Sequence, residues 1–365
     1  MNGVGSTFWL RSGGTPLLVL LLIVAAGCSS THGIVAPFGE DDPIPAGEGE
    51  QAGLDLSELE SISRHLTERG DHKVHSILVV SGGRLVFERY YNGYGPNNPH
   101  DIRSATKSIT SLLAGVAIER GAIAGVDTPL MDLLGTRYHG VRDKDDILLR
   151  HLLTMSSGLD CDDGDRRTRG QEDRMYRSRD WVEHFLTLAR THPPGEVTRY
   201  CTGGVVALGE AIAVATGQDF AAFADEALFA PLGIRNYRWA RFDGERKVDT
   251  GGHLLLTPRG MAKIGMLILG KGRWKGQQLV SADWIERSLQ PRARINDEPY
   301  GYLWWRNTSR HGEEDVDVIS ARGNGGQVIF IVPDRDLVAV FTAGYYNSDE
   351  TQLIYNIFRN AILTR

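Results

Sequence analysis

Arg103-Ser104-Ala105-Thr106-Lys107-Ser108-Ile109-Thr110-Ser111-Leu112-Leu113 is the stretch around which this 365-residue chain is organised. It predicts the opening of a helix, with Ser104 ahead of an apolar face at Ile109, Leu112, Leu113 and Val116 and Gly121 as a stop. Ser104 and Lys107 are three residues apart, so they share one face about a turn from each other. A serine in the first turn also has unpaired backbone N–H groups beside it, in the positive field of the helix end. A hydroxyl, an amine to manage its proton and donors for an oxyanion are what an acyl-transfer nucleophile requires. The spacing alone does not carry this, because about one S-x-x-K arises by chance in a chain of this length. The remainder of the sequence has to decide it.

Composition sets the frame. The chain is 41% apolar and 24% charged, an ordinary globular balance, and it is long enough for one large domain or two small ones. A net charge of -6 leaves no basic footprint, so nucleic acid is not an expected partner. Arg11 is followed by an apolar run from Leu17 to Ala26, too short to span a bilayer, closed by Ala25-Ala26-Gly27-Cys28. Residues 1–28 are therefore expected to be a secretory signal with its cleavage site. The end also resembles a bacterial lipobox, which implies a lipidated Cys28, an anchor on the periplasmic side of the envelope and, with Ser29 and Ser30 following, the outer membrane. Ala25 stands where that pattern usually has a large aliphatic residue, and simple secretion is the alternative.

Residues 29–54, rich in Gly, Pro, Glu and Asp, are expected to form a flexible tether, with one domain over 55–365. Ser57-Glu58-Leu59-Glu60 predicts a capping box opening a helix that ends at Gly70. Val74–Val80 and Leu85–Tyr91, joined through Gly82-Gly83, predict a hairpin. A block with few strand signals follows, with helical patterns near Ile147–Met155, Trp181–Ala189, Val205–Ala215, Phe220–Phe229, Pro258–Leu269 and Ser281–Leu289. Short strands return at Tyr300–Arg306, Val316–Ser320, Val328–Pro333 and Leu337–Thr342, before a last helix over about Glu350–Leu363. The expected fold is mixed α/β, in the α+β sense. An antiparallel sheet built from both chain ends is flanked by helices, with a mostly helical insertion at about 122–256.

Two further constellations accompany the first: Pro193-Pro194-Gly195 followed by Tyr200-Cys201-Thr202-Gly203-Gly204, and Arg322-Gly323-Asn324-Gly325-Gly326-Gln327. With them, the chain from about Ser57 onward resembles the serine β-lactamase and penicillin-binding-protein superfamily. It stands on the side of class C β-lactamases, esterases and 6-aminohexanoate-dimer hydrolases. The motifs occur in the family order, and S-x-x-K is one of that superfamily's signatures. The resemblance implies Ser104 as nucleophile, Lys107 as its partner and Tyr200 as general base and acid, with the backbone N–H groups of Ser104 and Gln327 as oxyanion hole. Substrate contacts would come from Asn324, Gly325, Gly326, Thr202 and Tyr176. Asn324 has the alternative of only shaping its turn, and Tyr176 that of lying at the surface.

Two departures from the family pattern matter. Thr202 stands where lactamases and peptidases usually have Asn, and Asn324-Gly325-Gly326 replaces their Lys/His-Thr-Gly triplet. A neutral amide cannot match the charge-assisted hydrogen bond that a strand cation gives a penicillin carboxylate. The expectation is therefore an exported serine hydrolase of small esters or amides, working through an acyl-enzyme. A D-amino-acid peptidase or β-lactamase is the alternative, or a sensor of the same fold that acylates once. Lys107 and Tyr200 titrate as a pair, so the sequence leaves open which carries the proton.

With Cys28 taken by lipid, Cys161 and Cys201 remain as an even pair in an oxidising compartment, each beside a family motif; a bridge is expected, against two buried free thiols. Trp304 and Trp305 read as core. Asp160, Asp162, Asp163 and Asp165 resemble a calcium loop but lack its third and closing ligands, so neither a metal nor a cofactor is expected. The expected partners are a small ester or amide and the membrane reached through the anchor.

Overall fold

Strands from 74–90 and from 293–343 meet in one eight-stranded antiparallel sheet. The computed structural model describes residues 40–49, 54–141, 143–311 and 314–363. The expected signal segment with Cys28 lies outside the described residues, as do 29–39 and 50–53 of the expected tether. Helix α1 (Ser57–Arg69) leads into the hairpin β1 (Val74–Ser81) and β2 (Arg84–Tyr90). Helix α2 (Thr106–Glu119), α3 (Thr202–Thr216), α4 (Pro258–Leu269) and α5 (Ala282–Leu289) are the longer helices of the middle of the chain. Six strands follow: β3 (Ala293–Ile295), β4 (Glu298–Tyr300), β5 (Trp305–His311), β6 (Glu314–Gly323), β7 (Gln327–Val332) and β8 (Leu337–Ala343). The order across the sheet is β3-β4-β5-β6-β7-β8-β1-β2, so the N-terminal hairpin pairs with the last strand through Ile77 opposite Phe341.

The period-two pattern of the central strands explains the layers. Leu78, Val80, Ile329, Ile331, Val338 and Val340 point into a large core shared with α2, α3 and α4. Their neighbours Ile77, Val79, Val328, Phe330, Ala339 and Phe341 fill a second core under α1 and the C-terminal helix, with Leu59, Ile354 and Phe358. Strands buried on both faces read as continuous hydrophobic runs, as these do.

Helix α2 is the centre of the molecule, buried from Thr106 to Ala117. Its polar side is not solvated. Lys107, Ser108 and Thr110 each donate to a backbone carbonyl of another segment, at Gly251 (2.6 Å), Leu303 (2.6 Å) and Thr250 (2.7 Å). Burying a polar group is costly unless it is hydrogen-bonded, so these three bonds give the helix a fixed azimuth rather than a sliding apolar face.

Several expectations are corrected. Residues 41–47 are not a tether: Ile44 is buried, Asp42 N–H donates to the Gly233 carbonyl at 2.8 Å, and Ala46 bridges Leu85 at the free edge of β2. Asp41 accepts from Arg235 N–H (2.7 Å), Asn236 N–H (2.9 Å) and the Thr257 hydroxyl. The Ser57–Glu60 capping box does not form, because Ser57 is already helical and its N–H donates to Asp55 Oδ1 at 2.9 Å. The run expected as one strand over Tyr300–Arg306 splits into β4 and β5 around 301–304, and the β3–β4 hairpin was not expected. Within the 122–256 insertion, Tyr237–Trp239 and Leu254–Leu256 pair in a small sheet with His100–Asp101. The last helix is α-helical only over Gln352–Ile357 and continues as a wider turn over Phe358–Ile362.

Candidate active site

Ser104 sits in a 3-10 turn, Arg103–Ala105, that feeds directly into α2. The turn begins with Arg103 at φ 51°, a left-handed conformation that a side-chain-bearing residue adopts at a cost and that concentrates at functional positions. Arg103 N–H is held by Asp101 Oδ1 at 2.9 Å. From the next turn Lys107, 1% exposed, aims its ammonium back: Nζ lies 2.9 Å from Ser104 Oγ and 2.6 Å from the Gly251 carbonyl. Nζ also stands 5.0 Å from the centre of the Tyr200 ring. Tyr200 and Gly251, both far along the chain, thus meet the Ser104–Lys107 turn at one point.

Tyr200 is fixed by a clasp. Asp163 N–H donates to the Tyr200 carbonyl (2.8 Å), and Asp163 Oδ2 accepts from Thr202 N–H (2.8 Å) and the Thr202 hydroxyl (2.7 Å). Arg199 N–H donates to the Met155 carbonyl at 2.8 Å, and a disulfide joins Cys161 to Cys201. The clasp also opens α3, where Cys201 Sγ accepts from Gly204 N–H at 3.3 Å. The Tyr200 ring stacks near Trp305, with centroids 6.2 Å apart and planes 24° apart. Trp305 is therefore part of the site wall, whereas Trp304 is core at 0% exposed.

The third constellation closes the site from the sheet. Gly323 ends β6 directly over the Ser104 turn, where a Cβ would come within 2.1 Å of the Ile102 carbonyl; only glycine allows that approach. Gln327 pairs with Gly323 across the β6–β7 turn. Its buried side chain donates to the Ala343 carbonyl (2.6 Å) and accepts from Ala343 N–H (3.1 Å), which fixes the strand end. Gly325 and Gly326, at φ 93° and 92°, make the turn itself.

Not every expected contact faces the serine. Both ends of the Asn324 amide are engaged by Asn347, at 2.7 and 3.0 Å, so this side chain shapes the turn. Thr202 is 0% exposed and bound to Asp163, which makes it part of the clasp rather than a ligand contact. Tyr176 is half-buried rather than at the surface: it packs 5.4 Å from His253 and 4.9 Å from Trp181 and donates to Glu172 Oε2 at 3.4 Å.

Several residues here carry charge and went unread in the sequence. Burial pushes Asp163 up to about 7, against the pull of Lys107 and its bonds from Thr202. Burial likewise lifts Asp249 to about 6, opposed by His253, Lys107 and two backbone N–H groups. His253 lies at φ 54° with Nδ1 2.8 Å from Asp101 Oδ2. Burial alone would depress it, but the Asp101 bond and the charges of Asp249 and Asp101 carry it above the ordinary imidazole range. The pattern Gly251-Gly252-His253 is one sequence signal for this corner. The acidic run at 160–165 is a second signal, although in sequence it resembles only an incomplete calcium loop.

The disulfide closes a loop with a sequence separation of 40. In the chain-entropy model such a loop contributes about 3–4 kcal/mol, so its reduction is expected to lower the Tm by roughly 5–10 °C. Thiol alkylation of unreduced protein, followed by peptide mass spectrometry, is the direct check. The expected result is a linked Cys161–Cys201 peptide pair, and two alkylated cysteines would contradict it.

Comparison with known proteins gives a consistent picture. The model of the Beta-lactamase family matches residues 59–360. A 6-aminohexanoate-dimer hydrolase of Paenarthrobacter ureafaciens is 24% identical over 305 residues, covering 75% of this chain and 73% of its own length. A 6-aminohexanoate-dimer hydrolase-like protein of Bacillus anthracis superposes with a TM-score of 0.73 at 20% identity, over 89% of each chain. EstCE1, a hydrolase with promiscuous acyltransferase activity, superposes with a TM-score of 0.69 at 14% identity, over 87% of this chain and 100% of its own. Penicillin-binding-protein homologues and a class C β-lactamase share the fold as well.

Proposed function

The chain belongs to the beta-lactamase family, and we propose that within it this protein is a serine hydrolase of small esters and linear amides. The observation that carries the reading is the buried Lys107 ammonium 2.9 Å from the Ser104 hydroxyl, at the end of strand β6. The Lys107–Tyr200 pair holds one proton between its two basic atoms before attack; Ser104 Oγ attacks the substrate carbonyl carbon while its own proton passes to whichever of the two is unprotonated. The oxyanion of the tetrahedral intermediate is received by the backbone N–H of Ser104 in the turn under Gly323; the Gln327 N–H implied by the family pattern lies in the β6–β7 pairing with Gly323 instead. Collapse expels the alcohol or amine, which takes a proton from the pair, and leaves Ser104 acylated. Water activated by the same pair then releases the acid.

Charge favours this substrate class over lactams. The turn above Ser104 offers Asn324, Gly325 and Gly326 and no cation, and Arg322 is held by Glu298 at 2.7 Å and stacked on Trp305. Asp101, Asp163, Glu172 and Asp249 surround the remaining cations Lys107, Arg103 and His253. A penicillin carboxylate meets no partner there comparable to a strand lysine. The dimer hydrolase that this chain resembles is named for a linear amide, which supports the same class. The test is a panel of p-nitrophenyl acetate and butyrate, 6-aminohexanoate dimer and benzylpenicillin. A kcat/KM for the best ester or linear amide at least about 100-fold above that for penicillin is expected. Equal turnover of penicillin would overturn the assignment.

We also place the protein outside the cytoplasm, anchored through Cys28. The disulfide supports the export and not the anchor, since such bonds persist in oxidising compartments.

A further inference from the structure

Asp249 is the most deeply buried charge near Ser104, 0% exposed, and none of the chemistry above uses it. Its Oδ1 accepts from two successive backbone N–H groups, Gly251 at 3.1 Å and Gly252 at 3.0 Å. Those bonds fold residues 249–252 into a tight turn. The turn is stitched down at Thr250, whose carbonyl accepts from Thr110 of α2 (2.7 Å) and whose hydroxyl donates to the Val205 carbonyl of α3 (2.9 Å). A Cβ on Gly251 would come within 2.7 Å of Thr202. The turn therefore has one position, and in it the Gly251 carbonyl meets Lys107 Nζ at 2.6 Å.

We infer that Asp249 is a positioning residue for Lys107: it shapes the turn whose Gly251 carbonyl holds the ammonium against Ser104, and its carboxylate charge keeps that ammonium in place. The inference rests on the serine-hydrolase reading. The charge matters as well as the geometry, because Oδ2 has no hydrogen-bond partner among the described residues. An asparagine would accept from the same two N–H groups and avoid burying a charge, so the turn by itself gives no reason for an acid. The titratable groups around it are Lys107 on α2, Tyr176 on the helix Glu172–Tyr176, and His253 on its own loop. Of the two cations among them, Lys107 is the one bound to the turn that Asp249 builds. Among the described residues no carboxylate hydrogen-bonds Lys107, and the carboxylates whose charge reaches its ammonium, Asp249 and Asp163, act from one shell out.

The test uses the full-length protein, p-nitrophenyl acetate and a fluorophosphonate probe. Asp249→Asn is expected to melt cooperatively and to lose about 10- to 100-fold in kcat and in phosphonylation rate, with KM within about threefold. Asp249→Ala is expected to lose more. In a Lys107→Ala background, adding Asp249→Asn should change the residual labelling rate less than about threefold, because the partner it acts through is gone. A purely structural residue would instead lower both backgrounds by the same factor, and that result overturns the inference. So does an Asp249→Asn protein within threefold of wild type, or failure of both variants to melt cooperatively. Turnover surviving Ser104→Ala would sink the serine reading itself. Normal labelling at Ser104 beside an unimpaired Asp249→Asn sinks only the inference drawn here.

Discussion

Ser104→Ala is expected to abolish ester turnover and phosphonate labelling together, with a loss of about 10⁴-fold or more in kcat and a melting temperature close to wild type. The size of the loss follows from the mechanism. The other groups stabilise a proton transfer and an oxyanion that form only if the hydroxyl attacks, so removing it leaves them without a reaction to assist. The fold should tolerate the change because Ser104 is half-buried in a short turn, and its side chain accepts from Lys107 without bridging two elements of the core. Loss of an oxygen there does leave the buried Lys107 ammonium with one partner fewer. A small drop in stability is therefore expected, in contrast to the catalytic loss. Steady-state kinetics and circular dichroism on the same preparation separate the two.

The second large effect concerns the proton-transfer pair. Lys107→Ala and Tyr200→Phe should each lower kcat by about 10³- to 10⁴-fold, and the double variant should be little worse than the poorer single one. Non-additivity is the signature of groups that act as one unit. It is expected here because Nζ sits 5.0 Å from the Tyr200 ring and 2.9 Å from Ser104 Oγ, so the two groups meet beside one nucleophile. The two substitutions differ in their cost to the fold. Tyr200→Phe keeps the ring against Trp305 and leaves the Asp163 and disulfide clasp, which holds the backbone, untouched. Lys107→Ala opens a hole in the buried first turn of α2 and frees the Gly251 carbonyl, so it should melt earlier. Losses that multiply in the double variant would mean that the two act in separate steps.

What the sequence revealed followed local rules. Helix α4 was bounded correctly from Thr257 to Leu269 because its cap, its Pro at the first turn and its apolar period all agree, and Thr257 Oγ1 does accept from Gly260 N–H at 2.9 Å. The joining of early and late strands in one sheet was legible from strands at 74–90 and 316–342 with a helical block between them. The S-x-x-K spacing placed Ser104 and Lys107 on one face, where the structure has them. What stayed hidden depends on partners outside the local segment, from 39 to 195 positions away. Thr110, Ser108 and Lys107 look like a solvated stripe until Thr250, Leu303 and Gly251 are brought against them. Residues 41–47 have a linker's composition, yet Asp41 and Asp42 meet unpaired backbone N–H and carbonyl groups at 233–236. Asp249 and His253 carry no periodic signal, since each acts from a loop through a single geometry. Thr202 was read for its place in a motif, and its hydroxyl turned out to be committed to Asp163.

The central claim is that Ser104 is the atom-bearing nucleophile of a turning-over enzyme. It is tested most directly by reacting the full-length protein with a fluorophosphonate, digesting it and mapping the adduct by mass spectrometry, with p-nitrophenyl acetate hydrolysis followed in parallel. The account predicts a single adduct on the peptide carrying Ser104, stoichiometric with the protein and with the loss of hydrolysis. An adduct on any other residue, or hydrolysis that persists once Ser104 is fully modified, would contradict it.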